Sequence, residues 1–117
     1  MTLISCDGQT SCRERILAMR DTIEVLGGKW KIAILHSLSF GTQRFTDLQE
    51  TLVGITPKVL AKELLDLEQN LLVTRTVNDT RPVTVSYTLT PHAYEAQPVI
   101  EALLTFGAKH RRKVIGK

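Results

Sequence analysis

The residues best suited to chemistry in this chain are those that can meet a polyanion. Thr56, Pro57, Lys58, Val59 and Lys62 lie close together, Arg44 precedes them, and Asn78 and Arg81 follow in a polar stretch. Lys58 and Lys62 are one helical turn apart, so both ammonium groups would project from one helix and reach phosphate oxygens or the acceptor edge of guanine. Val59 beside them suits a thymine methyl. Thr56-Pro57 reads as a helix N-cap followed by proline at the first helical position, which leaves free backbone N–H groups at an anion-friendly end. Arg81, beside Asn78, Asp79 and Thr80, suits a phosphate or minor-groove contact, although Asp79 would repel a phosphate. Arg44 stands where it can face a nucleic-acid backbone.

The two cysteines, Cys6 and Cys12, offer a second kind of chemistry. Ser11-Cys12-Arg13-Glu14 fits an S-x-x-E capping box, which would make Cys12 the first residue of a helix. The positive helix end, Arg13 and Arg15 would each favour a thiolate there, and Cys6 upstream would be placed to resolve a sulfenate. An incidental, inert thiol fits the same residues. The cysteines and the scattered His36, His92 and His110 lack structural-zinc spacing, so no metal or cofactor is expected. Nor is there a nucleophile–base set or a phosphate loop, which argues against an enzyme.

These side chains need elements to hold them. A first helix is expected from Cys12, with Ile16, Met19, Ile23 and Leu26 on one face and Gly27-Gly28 as its stop. Lys29-Trp30-Lys31 opens a second helix, apolar nearly all round, which predicts a central position and a buried Trp30. Thr46-Asp47-Leu48-Gln49 is another capping box, starting a short helix to about Leu52. Gly54 makes a turn, and Thr56 starts a helix to about Asn70 with Leu60, Leu64, Leu67 and Leu71 inward. Strands follow at about 72–77 and 83–89. Thr90-Pro91 then caps a last helix to about Lys109, which Pro98 should bend or break. Two short helices joined by a tight turn and followed by a hairpin make an α+β, mostly α, winged helix-turn-helix. That fold commonly places its second helix in the DNA major groove.

Composition bounds this reading. The chain has 117 residues, 43% of them hydrophobic and 23% charged, which predicts one folded domain over 1–117. A net charge of +3 is compatible with nucleic acid without requiring it. No apolar run is long enough to span a membrane, and Met1 to Thr10 lacks the basic start and apolar core of a signal peptide, so a cytoplasmic location is expected. Lys109, Arg111, Arg112, Lys113 and Lys117 form a basic end with no acid after Glu101, expected to be a mobile, solubilising tail.

One ordered set of residues resembles a known family. Gly27-Gly28-Lys29-Trp30, Arg44-Phe45 with Leu48, and Gly54-Ile55-Thr56-Pro57-Lys58 with Leu60, Leu64 and Leu67-Glu68 lead to Leu72-Val73 with Arg75, and then to Tyr87, Leu89 and Thr90. This pattern, covering about residues 20 to 106, resembles the bacterial HxlR-type transcriptional regulators, a winged-helix group related in architecture to the MarR regulators. The resemblance implies a homodimer that binds a pseudo-palindromic double-stranded DNA operator. Some members sense oxidants or electrophiles through an N-terminal cysteine, many of them nearer the Gly-Gly-Lys-Trp motif, where this chain has Leu17. The same resemblance therefore makes a thiol redox response a candidate role for Cys12 with Cys6.

A dimer can also be argued from the residues. One winged helix offers a contact area on the order of 600–1,000 Å², and modules of that size depend on linkage for affinity. Ile16, Met19 and Ile23 on the first helix, with Val99, Leu103 and Phe106 on the last, are spare apolar faces suited to an isologous interface. Two competing functions remain, a winged-helix protein-interaction module without DNA binding and a small thiol-dependent enzyme. The residues identify no small-molecule effector.

Overall fold

Leu60, Leu64 and Leu67 recur at helical spacing and are all but inaccessible, as are Ile34, Leu35 and Leu38 on the helix they pack against. The computed structural model describes the backbone of residues 9–116 and the side chains of residues 12–116. Its elements run α1 (Gln9–Leu26), α2 (Lys31–Leu38), β1 (Gln43–Arg44), α3 (Phe45–Thr51), α4 (Pro57–Gln69), β2 (Val73–Asn78), β3 (Thr84–Leu89), α5 (Pro91–Glu95) and α6 (Gln97–Val114). The sheet is antiparallel in the order β1-β3-β2, with Arg75 opposite Tyr87 and Asn78 opposite Thr84. Leu48 of α3, Leu72, Val73, Tyr87, Leu89 and Ile100 close the core around α2 and α4. This is a winged helix-turn-helix, with α3 and α4 as the helical pair and the β2–β3 hairpin as the wing.

Several elements depart from expectation. The helix expected at Cys12 begins at Gln9, so Cys12 is its fourth residue and the Ser11/Glu14 pattern lies inside the helix. A capping pattern is a local preference, and here the helical run continues through it. Trp30 is not buried. It is the N-cap of α2, half-buried at the core edge, with the Lys29 ammonium 5.0 Å from its ring centre. Lys31, the first residue of that helix, is the one drawn inside. Leu71 does not face inward either. It follows the C-cap Asn70 in left-handed backbone at φ 65°, and its side chain is 69% exposed. The reversal lets the Leu72 N–H donate to the Leu67 carbonyl at 2.9 Å and turns Leu72 into the core instead.

Pro98 marks a break, as expected: α5 ends at Glu95, and α6 starts at Gln97. The basic end is helical as far as Val114. Arg111, Arg112 and Lys113 occupy the last turn, where cations complement the helix dipole.

The molecule is elongated. Its radius of gyration is 17.0 Å, against about 13 Å for a compact domain of this length. The cause lies in α1 and α6, each of which buries a single residue among the described ones, Leu26 and Ile100. Ile16, Met19, Ile23, Val99, Leu103 and Phe106 all remain exposed on them.

Candidate nucleic-acid interface

The start of α4 is built as its sequence suggests. The Thr56 hydroxyl accepts from the Val59 N–H at 3.2 Å, and Pro57 occupies the first turn. With Leu60, Leu64 and Leu67 inward, the outward surface carries Lys58, Ala61, Lys62 and Leu65. Lys58 has no hydrogen-bond or ion-pair partner among the described residues. Val59 differs from expectation: it is half-buried and packs against the core, so it supports the helix rather than projecting from it.

Lys62 is exposed but tethered. Its ammonium donates to Asp66 Oδ2 at 3.2 Å, and the same oxygen lies 3.4 Å from Lys31 Nζ. Lys31 also donates to Glu63 Oε2 at 2.6 Å. Hydrogen bonding from Lys62 first, opposed by burial and reinforced by Lys31, holds the Asp66 carboxyl below the ordinary carboxylate range. Burial draws the Lys31 ammonium down, but Glu63 and then Asp66 outweigh it and leave its pKa raised.

Arg44 caps α3 through its backbone N–H, which donates to Asp47 Oδ2 at 3.0 Å. Its guanidinium forms a two-pronged pair with the same carboxylate, Nε to Oδ2 at 3.2 Å and Nη2 to Oδ1 at 3.1 Å. These bonds raise the Arg44 pKa and hold Asp47 below its usual range.

In the wing, the Asn78 amide donates to Thr84 Oγ1 at 3.0 Å and Ser86 Oγ at 2.7 Å. Both of its N–H groups thus bind β2 to β3, and Asn78 has no amide donor left for a base or phosphate. The Thr80 hydroxyl donates to the Pro82 carbonyl at 2.8 Å, tightening the tip. Arg81 stands exposed there, unpaired among the described residues.

Between α4 and the wing runs an open cleft of about 560 Å³, walled by Arg44 and Phe45, by Ala61 and Leu65, and by Arg75, Val85 and Tyr87. Arg75 had no contact role in the sequence reading. Its signal was period two: β2 places it on the sheet face of Val73, beside Tyr87 of β3, just past the edge of the core.

Cys12 is disulfide-bonded, so its sulfur is not a free thiol in this structure. Cys6 lies outside the described residues. Among the described residues, no three His, Cys, Asp or Glu side chains gather as a metal site, and no helix is long and apolar enough to cross a membrane.

Comparison with known proteins agrees with this geometry. The profile of the HxlR-like helix-turn-helix family matches residues 25–114. YtcD of Bacillus subtilis (strain 168), an uncharacterized HTH-type transcriptional regulator, is 33% identical over 100 residues, spanning 86% of this chain and 79% of its own. YodB of the same strain, an HTH-type transcriptional regulator, is 38% identical over 96 residues, 82% of each chain. Among solved structures, the redox regulator HypR in its reduced form matches with a TM-score of 0.79 at 27% identity, over 86% of this chain and 99% of that one. With its recognition helix, wing and matched span in agreement, the chain belongs to the HxlR-like helix-turn-helix family of transcriptional regulators.

Proposed function

We propose that the protein, as one domain, binds a pseudo-palindromic DNA operator as a homodimer, and that it is a binding protein rather than an enzyme, acting in the cytoplasm. The observation that carries this reading is the outward face of α4. The Thr56 cap, Lys58 and Lys62 share one surface, with Arg81 at the wing tip as a second contact and Arg44 beside the short helix. A helix entering the major groove with its N-terminal turn meets bases and phosphates with those residues first. Titration of a mixed-sequence duplex across salt concentrations tests it. Lys58→Ala with Lys62→Ala should weaken binding and flatten the salt dependence without unfolding the domain. Unchanged affinity in that double variant would remove the recognition-helix assignment.

The exposed apolar faces of α1 and α6 support the dimer. Ile23 is 70% and Phe106 67% exposed, a poor arrangement for an isolated monomer. Substituting both by aspartate should give a monomer in sedimentation and cost operator affinity, because two half-sites about 34–36 Å apart must be read together.

A thiol response is the second part of the reading. The disulfide at Cys12 favours it, together with the likeness to a protein described as a redox regulator. Cys12 lies on the helix proposed for dimer contact, so oxidation would act on protomer spacing rather than on α4. Operator affinity of the Cys12→Ser protein should be indifferent to mild peroxide. A peroxide response equal to wild type would exclude this role.

A further inference from the structure

We propose that the cleft between α4 and the wing seats the DNA strand that separates the two grooves, and that Arg75 is its phosphate contact. The inference rests on the reading that α4 enters the major groove. In a duplex, a major groove and the minor groove next to it are divided by a single sugar–phosphate strand. A protein with a helix in one and a hairpin tip in the other must straddle that strand. The part of this protein that lies between α4 and the tip Arg81 is the cleft.

Its lining suits such an occupant. Leu65 and Val83 are exposed apolar side chains on opposite walls, suited to the carbon face of deoxyribose, while a phosphate needs a cation. Two arginines line the cleft, and they differ in availability. Arg44 is already held two-pronged by Asp47. Arg75 is exposed on β2 and has no ion-pair or hydrogen-bond partner among the described residues. Glu68 shares the cleft without pairing with Arg75. It is half-buried where Arg75 is exposed, so the arginine stands nearer the open side from which a strand would enter. A guanidinium with no internal partner, set in a wall that a strand must pass, supplies the missing charge for one phosphate.

The test uses a mixed-sequence duplex of about 30 base pairs, enough for two half-sites a helical turn apart. Arg75→Ala removes one phosphate contact from each protomer of the bound dimer, so it should bind about sixtyfold more weakly at about 0.1 M salt, with the slope of log affinity against log salt smaller by about 1.8. The loss should be equal for different sequences, and Arg75→Lys should recover most of it. Thermal unfolding of both variants is measured alongside. A folded Arg75→Ala protein with unchanged affinity and slope overturns the proposal, and so does a loss confined to one sequence. Lys58→Ala separates the two readings. If it weakens binding while Arg75→Ala does not, only the cleft assignment fails; if neither matters, the DNA-facing reading of α4 falls with it.

Discussion

Lys31 on α2 and Glu63 on α4 are joined at 2.6 Å, with side chains only 11% and 15% exposed. A leucine stripe attaches α4 to the core but leaves its rotation about its own axis loosely defined, since apolar contact is non-directional. A short, charge-assisted bond from the neighbouring helix is directional. This pair, extended to Asp66 and through it to Lys62, therefore adds a directional restraint to the face that the leucine stripe already selects.

Removing the ammonium should be costly. Lys31→Met keeps the length of the side chain but leaves Glu63 without its partner at the core edge. Breaking a fully buried pair costs about 3–5 kcal/mol; with Asp66 partly open to water, we expect about 2 kcal/mol. That corresponds to a fall of roughly 8 °C in Tm for a domain of this size. Urea unfolding that shows less than about 0.5 kcal/mol of change would mean the pair is no anchor.

The acid side of the stability profile should carry the mark of Asp47. Its folded-state pKa lies below the ordinary 3.8, chiefly because of the Arg44 guanidinium and then the Arg44 backbone N–H. A depressed carboxylate contributes stability above its unfolded value and loses it as pH falls through the folded one. The difference in stability between wild type and Asp47→Asn should thus be constant near neutrality and close below about pH 4. Lys31 behaves oppositely: its pKa is raised from 10.5, so its contribution is complete below that value and lost only at higher pH. Chemical denaturation of the Asp47→Asn pair across pH tests the acid limb, and a gap that widens on acidification would contradict the assignment.

Leu71→Gly should make the protein more stable. A leucine at φ 65° meets a steric penalty that glycine does not, and the exposed side chain buries little in return. After the greater freedom of glycine in the unfolded chain, the net gain should be about 0.5–1 kcal/mol, read as a rise of a few degrees in Tm. Gly27 is the opposite case. A Cβ there would lie 2.1 Å from the Ile23 carbonyl oxygen, so Gly27→Ala must displace the end of α1 and should lower Tm.

Asp66 should restrain DNA binding. Lys62 has to leave it to meet a phosphate, and an exposed i,i+4 pair of this kind holds the ammonium only weakly. Asp66→Asn is therefore expected to tighten binding to mixed-sequence duplex by about twofold to fivefold. The gain should disappear when Lys62→Ala is added. A gain that persists in the double variant would trace to the lost negative charge alone.

Local rules carried much of this architecture from the sequence. Thr56-Pro57 starts α4, Thr90-Pro91 starts α5 and Pro98 separates α5 from α6, because caps and proline act on the nearest turn. Period two and the polar break at 79–82 located the wing within a residue or two. The same rules put Lys58 and Lys62 opposite the leucine stripe, since helical spacing needs no partner to be read.

Only the tertiary structure decided the rest, for reasons that are long-range. Leu71 continues the leucine spacing of α4, but the helix ends two residues earlier, at Gln69, and the left-handed backbone of Leu71 itself sends Leu72 inward in its place. Trp30 is apolar and Lys31 charged. Yet Lys31 is the buried one, because Glu63 and Asp66 arrive from a helix more than thirty residues away. Asn78 was read as a polar tip free for DNA, and its amide closes the wing onto Thr84 and Ser86. Arg75 stood in a strand as part of the family pattern with no contact assigned to it, until α4 and the hairpin left a cleft beside it. Residue type and spacing determined which elements form. Which charges are left without a partner on the outer surface depends on pairings between elements distant in the chain, and those exist only once it has folded.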